Sequence, residues 1–151
     1  MTEIERIVDQ MKRAYEGEAW HGSSVCETLA GVSAPQAIAR PLANAHSIWE
    51  LVLHITAWKV AVRRRLEGDR AELSGQDDWP PVMETTKAAW TDAAYVLEQA
   101  HRNLIAAVAC LDESILHQPI LPGMPSVYVT LHGVIQHDLY HTGQIGILKK
   151  A

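Results

Sequence analysis

Residues 47–68, SIWELVLHITAWKVAVRRRLEG, decide the fold. Ser47 followed three residues later by Glu50 is a capping box, in which hydroxyl and carboxylate satisfy the free N–H groups of a helix's first turn. Leu51, His54, Ile55, Trp58, Val62 and Leu66 then recur at three- and four-residue steps until Gly68, the pattern of one buried helix face. The basic cluster Arg63, Arg64 and Arg65 is offset by Glu67 and Asp69, as expected of a solvated helix end.

Working outward, Ile4, Ile7, Val8, Met11, Ala14 and Tyr15 mark an earlier amphipathic helix, with Thr2 as its N-cap and Gly17 as its stop. From Glu18 to Ala45 the period is irregular and broken by Gly22, Gly31, Pro35 and Pro41. This suits a connector with one or two short helical turns near Ser24 and Pro35, and long connectors often edge a site. Asp69 to Glu84 is polar, with Gly75 and the Pro80–Pro81 pair. It reads as an extended link that lets the second and third long helices run parallel.

A third long helix starts near Thr85 or Thr86 and ends near Asp112. Trp90, Ala94, Leu97, His101, Leu104, Ile105, Val108 and Leu111 mark its buried side. After the breaks at Pro119, Pro122, Gly123 and Pro125, residues 127–148 form the last helix, with Val134, His137, His141, Ile145 and Leu148 on one stripe. Gly133, Gly143 and Gly146 each weaken that helix by about 1 kcal/mol relative to Ala, so a close approach by another backbone or a bound group is expected there. No strand pattern and no repeat is present. The chain reads as an all-α protein of four long helices.

With 151 residues, 48% of them hydrophobic and 21% charged, residues 1–151 suit a single domain with a real core. A net charge of -5 lacks the basic face that phosphate neutralisation needs, so no nucleic-acid partner is expected. Cys26 and Cys110 fit no metal or redox spacing and read as free thiols of a reducing compartment. No stretch approaches the roughly 20 apolar residues of a membrane span, so no membrane partner and a cytoplasmic location are expected.

The chemistry centres on HDLYH, residues 137–141. Histidines four apart lie one turn apart on one helix face and can reach a single ion at about 2.0–2.1 Å. A helical pair is only bidentate, and His54, on the core stripe of another helix, is the best-placed third donor. Three neutral imidazoles leave coordination positions open for water or substrate. Asp138 and Glu50 are candidate acceptors for the free ring N–H groups. Trp58, one turn after His54, is a candidate pocket wall, with Tyr128, Tyr140 and Trp49 read as core aromatics. His101 reads as a core or rim histidine, and His21, His46, His117 and His132 as surface residues. Asp138 follows the first His of the pair where a zincin has Glu, so a metalloprotease is not supported. Neither a nucleophilic triad nor a phosphate loop is found, and no catalytic acid or base can be named.

AWHGSSVCETLAGV (19–32), HSIWELVLHITAW (46–58), DDWPPV (77–82) and GVIQHDLYHTGQIGILKK (133–150) resemble the DinB-like, YfiT-like family of bacterial four-helix proteins. The resemblance implies an up-down-down-up four-helix bundle, commonly a homodimer. It also implies a divalent metal held by one His of the second helix and two of the last, here His54, His137 and His141. Imidazole donors suit zinc or nickel first, and iron as well. The family's better understood members use low-molecular-weight thiols, transferring bacillithiol or mycothiol to electrophiles or isomerising maleylpyruvate with mycothiol. A small-molecule substrate, with such a thiol as partner, is therefore expected. Many relatives carry Arg after the last metal-binding His, where this chain has Thr142. The function implied is a metal-dependent, thiol-using S-transferase; the alternatives are a non-catalytic metal- or ligand-binding module and a metal-dependent hydrolase.

Overall fold

The computed structural model describes residues 1–151. Four long helices dominate: α1 (Glu3–Tyr15), α4 (Ile48–Leu66), α5 (Lys87–Ala109) and α6 (Val127–Lys150). Two short helices, α2 (Val25–Leu29) and α3 (Ala34–Ile38), occupy the first connector, and a 3-10 turn (Glu113–Ile115) follows α5. No strand forms, and a single bridge between Pro119 and Ser126 closes the turn before α6.

Local chemistry sets the helix starts. Thr2 with Glu5, Ser24 with Glu27 and Ser47 with Glu50 are complete capping boxes. Ser33, Thr86 and Ser126 each accept from a first-turn N–H. A side-chain oxygen at such a position stabilises a helix by about 1 kcal/mol over Ala. The long helices thus begin where the sequence pattern places them. At the end of α4, Arg63 pairs with Glu67 and Arg64 with Asp69, as expected of a solvated terminus.

The core has two apolar halves. One gathers Tyr15, Trp49, Leu51, Ile55, Leu97 and Ile145; the other gathers Ile4, Met11, Val62, Leu104, Val108 and Leu131. Trp49 meets Trp90, Tyr15 stacks on His101, and Lys59 meets both His101 and Asp138.

Between the halves lies a buried polar layer that the sequence reading missed. Lys59, His101 and Asp138 are 1%, 1% and 2% exposed. Lys59 Nζ donates to Asp138 Oδ2 at 2.6 Å and lies 3.5 Å from His101 Nδ1. Burial pushes the Asp138 carboxyl up, against the opposing pull of Lys59. A buried ion pair seldom adds net stability, because desolvation offsets the attraction, yet removing one partner alone is costly.

The glycines of α6 do not meet another backbone. A Cβ built on Gly133, Gly143 or Gly146 finds no heavy atom within 4 Å. The close approach by another backbone expected from the sequence is absent within this chain, while Gly133 lines a cavity.

Candidate metal centre

Helices α4 and α6 bring three imidazoles to one point. His137 Nε2 is 3.1 Å from His54 Nε2 and 3.1 Å from His141 Nε2, and one ligand atom from each of the three lies within 4.8 Å of the others. Donors at about 2.05 Å from a tetrahedral ion would stand about 3.3 Å apart, and somewhat closer around an octahedral one. The spacing therefore suits a single ion with all three Nε2 atoms as donors. His54 and His141 are buried, while His137 is half-buried.

Proton placement reinforces the geometry. His54 Nδ1 lies 2.7 Å from the Asp78 carbonyl oxygen, and His141 Nδ1 lies 2.6 Å from Gln144 Oε1. Both partners can only accept, so Nδ1 carries the proton and Nε2 presents a lone pair in each ring. Two lone pairs thus face His137 Nε2, which can donate at most one proton between them. A cation at the centre resolves the conflict. A proton fills that role poorly, because burial, aided by positive charge on His141, His54 and Lys59, brings His137 down to about 3. Burial lowers His141 as well, although its bond to Gln144 pulls the other way. Burial thus favours the neutral form of His137 and His141, the form in which imidazole binds a metal.

The outer residues differ from the sequence reading. Glu50 reaches none of the three histidines: it closes the α4 capping box on Ser47 and pairs with Arg40. Asp138 also fails as an acceptor for a ring N–H, since its carboxylate turns to Lys59. Helical geometry explains both misreadings, because residues adjacent to a ligand, or four before it, need not share its second hydrogen-bonding direction. The acceptor on His54 is instead Asp78, in the α4–α5 link, whose Oδ1 also stands 3.2 Å from His54 Nδ1. That same oxygen accepts from Trp58 Nε1–H at 2.8 Å. Trp58 borders the cluster, its ring centroid 6.5 Å from that of His54 and 6.1 Å from that of His137.

Trp79, next in the link, lies flat on His54 at 3.8 Å and on His46 at 3.6 Å. An indole sandwiched between two nearly parallel imidazoles keeps His46 out of the cluster, so neither His46 nor Glu50 closes the donor set. Asp78 and Trp79 were not singled out as site residues. Their signal lies in the DDWPPV stretch, which has no helical period.

Beside the cluster opens a cavity of about 310 Å³, lined by His137, Trp58, Lys59, Arg65, Thr130 and Gly133 among others. Arg65 donates to the Ala71 carbonyl oxygen and lies over the Trp58 ring at 5.4 Å. No carboxylate lines this space, and His137 is its one imidazole. Thr142, which follows the last clustered histidine, is buried and donates to the Asp138 carbonyl oxygen at 2.6 Å.

No curated protein and no solved structure matches the chain. The family model of the DinB superfamily matches residues 20–145, which include all three clustered histidines and the Asp78–Trp79 pair. By that match over most of its length, and with the helical fold and histidine cluster already described, the chain belongs to the DinB superfamily.

Proposed function

We propose that His54, His137 and His141 hold one divalent metal ion, zinc or nickel before iron, and that the protein is a metal-dependent S-transferase using a low-molecular-weight thiol. The observation that carries the metal reading is the convergence of three Nε2 atoms, two of them fixed as lone-pair donors by Asp78 and Gln144. A Lewis acid in that place lowers the pKa of a thiol or water, so that a nucleophile exists at neutral pH. The chain's own residues then have simple tasks. Asp78 and Trp79 orient His54, Gln144 orients His141, and Trp58 with Arg65 shapes the adjoining cavity.

Thiol transfer is preferred to hydrolysis because the cavity lining supplies no carboxylate or spare imidazole as general base. A thiol, unlike water, needs only modest activation near pH 7. In the transfer the S–H proton leaves to solvent, an S–C bond forms, and the electrophile's leaving group departs with its electron pair. The same bare lining keeps a non-catalytic metal-binding module as the second reading.

The helix pairings support an up-down-down-up bundle. Trp49–Trp90 and Lys59–His101 advance together along α4 and α5, whereas Lys59–Asp138 and His54–His141 advance in opposite senses along α4 and α6. We place the protein in the cytoplasm as a homodimer; no helix is long and apolar enough to cross a membrane, and Val129, Tyr140 and Ile147 leave apolar surface exposed on α6.

The test is elemental analysis of untagged protein beside His54→Ala, His137→Ala and His141→Ala. It is followed by conjugation of 1-chloro-2,4-dinitrobenzene with cysteine, glutathione, bacillithiol and mycothiol. Metal near one equivalent in the parent and lost in each variant is expected, with turnover by at least one thiol. Metal retained in all three variants overturns the site; metal without turnover by any thiol leaves the binding module.

A further inference from the structure

The largest cavity in the molecule, about 650 Å³, lies on the α1–α2–α5 side, and none of the three clustered histidines lines it. Its inner wall includes Tyr15, Leu97 and His101, all buried. His101 stacks on Tyr15 with ring centroids 3.9 Å apart, so its ring is held in place.

The protonation state of His101 follows from its neighbours. Burial first, then the positive charges of Lys59, Lys12 and Arg102, bring it down to about 3, so the ring is neutral. Lys59 Nζ, which can only donate, lies 3.5 Å from Nδ1. Nδ1 is therefore the bare acceptor and Nε2 carries the proton. That Nε2–H has no hydrogen-bond partner, although the residue is 1% exposed. A buried donor left unsatisfied is unfavourable, and native structures keep few of them. Glu16 Oε1 stands 3.7 Å away, beyond hydrogen-bond reach. Glu16 also lines the cavity, and its side chain is 58% exposed, free to swing outward.

The charges in the lining define what can enter. Lys12, Arg102, Glu16 and Glu98 contribute two of each sign, and Arg102 is tied to Glu98 at 2.5 Å. An anion gains no net attraction there, and neither does a cation. Most of the remaining wall is apolar, including Leu29, Leu97 and Ile105. His101 Nε2–H is covered in this structure, and with Glu16 swung outward a donor beside an apolar, charge-balanced cavity matches an uncharged molecule with one acceptor oxygen.

We propose that this cavity is a second ligand site, separate from the metal centre, for an uncharged and mainly apolar carbonyl compound, a ketone or an amide. Its oxygen accepts from His101 Nε2–H, and its body packs against α5. Cys26, also in the wall, is a reporter of occupancy, and Cys110, outside it, is the internal control.

The experiment uses the full chain labelled with ¹⁵N-histidine and three probes of similar shape: acetophenone, ethylbenzene and benzoate. The expected results are an Nε2–H tautomer at His101, a shift of that N–H signal on adding acetophenone, and slower alkylation of Cys26, but not of Cys110, by N-ethylmaleimide. Acetophenone should bind about tenfold tighter than ethylbenzene, the gain of satisfying one buried donor, and tighter than benzoate. Ala94→Phe, which narrows the cavity from a position two turns before His101 on α5, should abolish binding while its metal content stays at the parent level.

An Nδ1–H tautomer, an N–H signal indifferent to acetophenone, or equal affinity for ethylbenzene would overturn the proposal. Tighter binding of benzoate than of acetophenone would do the same, by making the site an anion site.

Discussion

Replacing Asp78 by alanine removes the Oδ1 that accepts from Trp58 Nε1–H at 2.8 Å and stands 3.2 Å from His54 Nδ1. It leaves the backbone carbonyl that holds the same ring nitrogen at 2.7 Å, and it leaves Trp79 stacked on the imidazole. Loss of an outer partner typically weakens metal binding 10- to 100-fold, and with the carbonyl retained the lower end, about tenfold or ~1.4 kcal/mol, is expected. His54→Ala removes a donor outright and should cost far more. Asp78→Asn keeps an acceptor oxygen and should lie within about threefold of the parent. Competition against a chromogenic zinc chelator at neutral pH, on untagged protein stripped and reloaded, measures all three. If Asp78→Ala binds zinc as tightly as the parent, or if Asn is as damaging as Ala, the side-chain contact does not orient His54 and the reasoning fails.

Lys59→Met leaves Asp138 buried without its partner and should destabilise the protein by about 3–5 kcal/mol in urea melts, with much of the loss recovered in Lys59→Met/Asp138→Leu; no recovery would show that the layer does more than satisfy itself. Leu104→Ala, at a fully buried position on α5, which packs against α4 and α1, should cost about 2–5 kcal/mol in the same assay. For the metal-free protein, His101 and His137 titrate near 3 when folded and near 6.5 when unfolded. Below pH 6.5 the unfolded chain therefore binds more protons, so stability should fall as pH drops from about 6.5 towards 3. The part of that loss above pH 4.5 precedes most carboxylate titration and should shrink in His137→Ala; an unchanged slope there would contradict the assignment. Trp79→Ala, which uncovers one face of His54, should weaken zinc binding with little loss of global stability, read by chelator competition beside thermal melts.

Periodicity and capping made the helices legible. Ser47 with Glu50 and the Leu51-to-Leu66 stripe place α4 within a residue or two of Ile48–Leu66. The short turns expected near Ser24 and Pro35 are α2 and α3. His54, His137 and His141 stood on buried stripes, so their meeting could be read before any coordinates. Lys59 was invisible for the opposite reason: a lysine amid Ile55, Trp58 and Val62 looks like the polar edge of a stripe, and only packing against α5 and α6 buries it. Asp78 and Trp79 carry no period, because an extended link has none, and their place beside His54 is set by how that link lies over the bundle. The α6 glycines meet no other backbone; helix propensity says that a glycine weakens a helix without saying what benefits.

The two helices that supply the imidazoles are remote along the chain: His54 and His137 are 83 residues apart, and the Asp78 carbonyl lies 24 residues beyond His54. An ion held there acts as a clip across a long loop, restricting the unfolded chain much as a distant cross-link does. A nascent polypeptide could not grip it until the final helix had emerged and docked, so on the proposed reading metal capture would mark completion of folding rather than its nucleus. In stopped-flow refolding with a zinc indicator, uptake should lag the rise in helical ellipticity, and uptake that kept pace with helix formation would show a local nucleus instead.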